Sequence, residues 1–144
     1  MAQVKAKVTP GTSSSILIGK AYRAVYKGAR AALHDLQLPP AQFILLSALW
    51  EKDGQSGAQI GSLLGLDSAT MTGLIDRVET KGYVERHPDP SDRRINRVWL
   101  TKTGQALETP VNMAIKHFDE ELAKLVDGDI DSFNQSLARI GDSL

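Results

Sequence analysis

No cysteine occurs among the 144 residues, which excludes disulfides, iron–sulfur ligation and any thiol-based switch within this chain. An apolar run of membrane-spanning length is also missing, and residues 1–15 lack the hydrophobic stretch of a secretory signal. The expectation is a cytoplasmic protein with no membrane partner. Net charge is zero, 17 Lys and Arg against 17 Asp and Glu. The three histidines, His34, His87 and His117, are scattered. His117 beside Asp119, Glu120 and Glu121 could be read as a metal ligand, but without a second histidine at matching spacing the cluster reads as a solvated helix face. No Ser-His-Asp order, phosphate-cradling glycine loop or paired-carboxylate site emerges. The sequence therefore points away from an enzyme, a cofactor or a bound metal.

What is present suits one compact domain: the length and 42% hydrophobic content allow a real core, not two. The balanced charge is unevenly spread. Residues 1–40 carry six Lys/Arg and one Asp, residues 77–102 seven against four, and residues 103–144 three against eight. A basic footprint can thus exist without a basic pI, because the local field matters at a contacting surface; scattered solvated charges are the plainer alternative.

The stretch from Asp67 to Gly104 organises the chain. Met71, Leu74, Ile75 and Val78 repeat at i, i+3, i+4, i+7, the stripe of a one-faced helix. Asp67 or Ser68 can cap its amino end, and Gly82 tolerates the positive φ past its last turn. Opposite the stripe stand Ala69, Thr72, Gly73, Asp76 and Thr80, flanked by Thr70 and Arg77. This side lacks the long Lys and Glu of an ordinary solvated face. Short donors and methyls suit a helix that lies against base edges in a major groove, so Ser68, Ala69, Thr70, Thr72, Gly73 and Arg77 are candidate DNA contacts. Tyr83–His87 reads as a strand, Pro88–Asp92 as a dense turn, and Asn96–Leu100 as a returning strand, which together predict a hairpin. Its tip carries Arg93 and Arg94 beside Asp92, a carboxylate able to orient a guanidinium toward a narrow minor groove.

Around this core the pattern is helical. Residues 1–14 predict a mobile arm. Leu17, Ala21, Val25, Gly28, Ala32 and Leu36 line one side of a helix over 15–36, whose small residues would let another helix approach closely. Pro39-Pro40 ends it and starts the next. Phe43, Leu46, Leu49 and Trp50 define a core face over 41–52, a break follows at 53–56, and a short helix over 57–64 carries Ile60, Leu63 and Leu64 inward. Gly65 turns the chain into the helix after Asp67, giving a helix-turn-helix layout. Thr101 can cap a helix from Lys102 carrying an apolar stripe from Leu107 to Leu125. Pro110 either kinks it near Thr109 or starts a fresh helix capped by Thr109. Ile130, Phe133, Leu137, Ile140 and Leu144 form a last stripe. Three helices, the first and the last two, then hold apolar faces outside the winged core, which either close over one another or bury against a second copy in a twofold dimer.

The run Leu74-Ile75-Asp76-Arg77-Val78-Glu79-Thr80-Lys81-Gly82-Tyr83-Val84-Glu85-Arg86, then Asp89-Pro90-Ser91-Asp92-Arg93-Arg94, then Val98-Trp99-Leu100-Thr101-Lys102-Thr103-Gly104, resembles the winged helix-turn-helix core of the MarR family of bacterial transcription regulators. The resemblance implies a mainly α fold with a small β-hairpin wing, its core at about 40–101 and dimerisation helices at about 15–37 and 102–144 in one domain over 15–144. It implies a homodimeric regulator, a repressor by expectation, on a near-palindromic double-stranded DNA operator. It further implies that the arginine at the position of Arg94 enters the minor groove, with Arg93 near phosphate and Asp92 in support, though the division between the two arginines stays open. A small-molecule effector, often an aromatic anion, would bind between core and dimer helices, where Tyr22, Arg23, Tyr26, Arg30, Trp50 and His117 are candidates. The absence of cysteine removes the peroxide sensing used by some members. The alternative is a winged-helix module that binds protein through the same surfaces.

Overall fold

The computed structural model describes residues 7–144. Residues 1–6 of the expected arm lie outside this range, and residues 7–13 hold a turn near Pro10 but no helix. The elements then run α1 (Ser14–Ala32), a 3₁₀ turn (His34–Leu36), α2 (Pro40–Glu51), β1 (Gln55–Ser56), α3 (Gly57–Leu64), α4 (Ser68–Thr80), β2 (Val84–Pro88), β3 (Asn96–Leu100), α5 (Lys102–Ala106), α6 (Glu108–Ala123) and α7 (Ile130–Ser143). The fold is mainly helical, with a small antiparallel sheet in the order β1-β3-β2.

α1 stops at Ala32, earlier than the periodicity predicts. Leu33 turns inward and is fully buried, and Gln37, at φ 51°, reverses the chain in the left-handed region. Pro39 is extended and Pro40 takes the first position of α2, where its missing N–H costs nothing. α2 is the central helix of the core. Leu45, Leu46, Ala48 and Leu49 are buried on more than one side, so the single face expected from Phe43, Leu46, Leu49 and Trp50 is too narrow.

The predicted break at 53–56 contains a third strand. The buried Gln55 side chain donates Nε2 to the carbonyls of Ala48 (2.9 Å) and Lys52 (2.6 Å), satisfying acceptors at the end of α2. Gln55 and Ser56 then pair with Val98 and Arg97. The hairpin is in register from Val84 opposite Leu100 to Pro88 opposite Asn96. Ser56 caps α3 in a reciprocal box with Gln59. Ile60 of α3 is buried, but Leu63 is 60% exposed and points outward, against expectation.

Thr101 caps α5 by accepting from Gly104 N (3.1 Å). The following break falls at Leu107, not at Thr109, and Thr109 caps nothing. Pro110 sits third in α6, within the first turn whose N–H groups have no intrahelical acceptor, so it ends no hydrogen-bond ladder. Asp129 caps α7 after Gly128 (φ +95°).

Two kinds of burial divide the chain. Leu33, Leu38, the α2 leucines, Ile60, Met71, Leu74, Ile75, Val78, Val84, Val98 and Val111 form one core. In contrast, α1 and α7 contain no buried residue and α6 only Val111. Gly28 lets α1 and α6 meet, since a Cβ there would collide with the Phe118 ring. Several stripe residues stay half-exposed, Leu17 at 41%, Phe133 at 39%, Leu137 at 43% and Ile140 at 42%, and Leu144 is fully exposed. Among the described residues, the faces of α1 and α7 do not close over one another.

Candidate nucleic-acid interface

The entry to α4 is set by Asp67. Gly65, at φ +66°, turns the chain out of α3, and Asp67 then accepts from Thr70 N through Oδ1 (2.7 Å) and from the Thr70 hydroxyl through Oδ2 (3.0 Å). These bonds, the backbone one first, hold its carboxyl below the usual range. Asp67 is therefore the cap, and Ser68 is the first helical residue. Met71, Leu74, Ile75 and Val78 anchor one side in the core. Ser68, Ala69, Thr70, Thr72 and Arg77 are exposed, and Gly73 leaves open space where a Cβ would stand. The side expected to lie in a groove is sterically clear.

Asp76 belongs to the same side by spacing, yet it has a structural partner. The Arg86 guanidinium, on β2, bridges Asp76 and Glu79, and the Arg86 backbone N–H donates to Glu79 (3.2 Å). One side chain thereby fastens the first wing strand to α4. At the far end of the helix, Lys81 Nζ donates to the Gln37 carbonyl (3.0 Å) and to buried Gln42 Oε1 (2.7 Å). The angle of α4 is fixed from both the wing and the α1–α2 turn.

The wing tip is built on two aspartates. Asp89, 7% exposed, accepts from Ser91 N (2.7 Å) and Asp92 N (3.2 Å) and pairs with Arg97. The Ser91 N–H, then Arg97, lower its pKa. Arg97 also donates to the Gly54 carbonyl (2.9 Å), tying the base of the tip to the loop before β1. Asp92 takes Arg94 in a two-point pair, Nε at 3.0 Å and Nη2 at 2.9 Å, while accepting from Arg94 N (3.0 Å). That pair lowers the Asp92 pKa and raises that of Arg94. A guanidinium has five N–H donors, so Asp92 takes two and leaves three on a side chain that is 90% exposed. Arg93 is exposed and has no acidic partner among the described residues.

Arg86, Glu79, Asp89 and Arg97 were not singled out as site residues from the sequence. The acid-rich turn and the charges flanking Gly82 were visible signals. Which charges pair depends on the hairpin register, which the sequence leaves open.

The six effector candidates do not converge. A hollow of about 350 Å³ lies between the end of α1, the 3₁₀ turn and the start of α2, lined by Tyr26, Arg30, His34, Gln37 and Pro39 among others. Tyr22 lies against Tyr26, ring centroids 6.1 Å apart, and is mostly exposed. Trp50 instead donates its indole N–H to the Gly104 carbonyl (3.0 Å), a packing role, and neither Arg23 nor His117 lines the hollow. His34, Gln37 and the proline pair, not predicted, take those places.

The sequence signature of the MarR family matches residues 38–95. Among curated relatives, the transcriptional regulator TtmR of Methylorubrum extorquens is 41% identical over 90 residues, a match covering 62% of this chain and 43% of that protein. MhqR of Bacillus subtilis is 29% identical over 129 residues, 88% of each. Among solved structures, the repressor CouR of Rhodococcus jostii, bound to a 23-mer DNA duplex, superposes with a TM-score of 0.79 at 26% identity, covering 94% of this chain and 99% of CouR.

Proposed function

The chain belongs to the MarR family of winged helix-turn-helix transcription regulators, and from that premise we propose that it is a sequence-specific DNA-binding repressor acting in the cytoplasm as a homodimer. The observation that carries this reading is the pairing of a sterically clear α4 with an Asp92-oriented, outward Arg94 on a wing fastened to that same helix by Arg86.

Ser68, Ala69, Thr70, Thr72, Gly73 and Arg77 meet the major groove, Arg94 enters the minor groove, and Arg93 sits near phosphate. The half-exposed stripes of α1 and α7 are covered by a second copy, which places two recognition helices about 34–36 Å apart on a near-palindrome. A small aromatic anion fits the hollow beside Tyr26, Arg30 and His34, whose size falls in the range of small-ligand sites. Binding there releases the DNA.

The test is a titration of the purified protein with DNA from upstream of its own gene, at two salt concentrations, beside an unrelated duplex. Specific binding that weakens steeply with salt, as phosphate counterions are released, supports the regulator. Equal weak binding to both duplexes moves the search to selection from random DNA, and failure to select any duplex overturns the reading.

A further inference from the structure

Thr70 and Thr72 stand on either flank of the Ala69 and Gly73 row, and each holds its hydroxyl hydrogen inside the protein. Thr70 Oγ1 donates to Asp67 Oδ2 (3.0 Å), and an ionised carboxylate only accepts. The Asp67 carboxyl stays ionised at neutral pH, because the Thr70 N–H and hydroxyl both stabilise its charge. Thr72 Oγ1 donates to the Ser68 carbonyl (3.0 Å), which likewise has no hydrogen to give. Both hydroxyls are exposed, and what they turn outward is lone pairs.

This polarity restricts what they can recognise. Phosphate oxygens only accept, so such a hydroxyl gains nothing at the DNA backbone. In the major groove, adenine N6 and cytosine N4 donate, whereas guanine and thymine offer acceptors. The neighbouring Ser68, Ala69 and Gly73 supply no Arg, Lys, Asn or Gln for two-point reading of a purine. We propose that Thr70 and Thr72 are specificity-determining acceptors that select adenine or cytosine over guanine or thymine at the strand positions they face. The inference rests on the DNA-binding reading above and adds the chemical sense of its base preference.

The experiment begins with selection from a random duplex pool by the full-length protein and by its Thr70→Val, Thr72→Val and Thr72→Ser variants, each checked for native helix content. Positions enriched in adenine or cytosine with the wild type should lose that preference with the matching valine, which keeps the shape but has no lone pair. Serine at position 72 should restore it. In the selected site, the adenine is then replaced by purine, or the cytosine by pyrimidin-2-one, each lacking only the exocyclic amino group. The wild type should bind roughly 3–10-fold more weakly per half-site, the net worth of one hydrogen bond, and the valine variant less than about 2-fold. Unchanged base preferences in the valine variants, or equal losses on amino removal, overturn the acceptor assignment while leaving the regulator intact. Enrichment of no duplex at all overturns the regulator reading, and the inference with it.

Discussion

Replacing Arg86 by methionine removes both charge contacts between wing and recognition helix while keeping the aliphatic stem. The Arg86 side chain is 23% exposed, and its partners Asp76 and Glu79 are 59% and 38% exposed, so neither pair is desolvated enough to be strong. At about 0.2–1 kcal/mol per partly exposed pair, the loss in folding stability should total about 0.5–2 kcal/mol. The functional loss should be larger. A hairpin held to α4 by the backbone N–H of residue 86 on Glu79, without the guanidinium, presents Arg94 over a wider range of angles, and each operator carries two wings. If each wing forfeits part of a contact worth about 1–3 kcal/mol, affinity should fall roughly 10–100-fold. Urea denaturation and operator titration on the same preparations measure the two effects. The decisive comparison is a double-mutant cycle with Arg94→Ala. If Arg86 acts by aiming the wing, Arg94→Ala should cost much less in the Arg86→Met background than in the wild type. Fully additive losses would refute the argument and make Arg86 an independent DNA contact.

Four further outcomes are expected. Arg94→Ala should weaken operator binding far more than Lys124→Ala, since Lys124, exposed at the end of α6, pairs with Glu121 alone among the described residues; equal losses would remove Arg94 from the interface. Leu74→Ala, at a position 3% exposed in the core, should destabilise the fold by about 2–5 kcal/mol in chemical denaturation. Gly28→Val drives a branched side chain into Phe118 and should cost about 1–3 kcal/mol, read as a lowered melting temperature, with Ala29→Val as a size control. Asp67, Asp89 and Asp92 all have lowered folded pKa values, so their contribution is present above the ordinary carboxylate value of 3.8 and is lost as pH falls below it. Stability should owe nothing to them between pH 8 and 5 in its slope, then drop in acid, and Asp89→Asn should make that acid limb shallower.

The elements legible in the sequence were those whose chemistry is local. The recognition helix carries its own start at Asp67, its own stop before Gly82 and a stripe anchored in one core, and the structure places it over Ser68–Thr80. The proline pair marked the α1–α2 junction for the same reason. What escaped was defined by partners elsewhere in the chain. Two residues, Gln55 and Ser56, become a strand because β3 is alongside and because Gln55 closes α2; nothing in their own propensity says so. Leu63 is apolar and correctly spaced, yet α3 buries Ile60 and Gly61 and leaves it outside. The wing's aspartates and arginines were visible as residue types. Their pairing, Asp89 with Arg97 and Arg86 with two acids on α4, follows from strand register.

The chain's two tryptophans both sit in the winged core, Trp50 bonded to the Gly104 carbonyl and Trp99 on β3 with its ring against Gly54. Helices α1, α6 and α7 have none. Tryptophan emission, excited beyond the tyrosine band, therefore reports on the winged half, whereas circular dichroism sums the helices of both. Loosening of the outer helices would drain ellipticity while emission stays constant, and disturbance of the wing, where Trp99 is partly open to solvent, would move emission while the helical signal holds. The protein carries an optical label that separates events at its outer helices from events at its winged half.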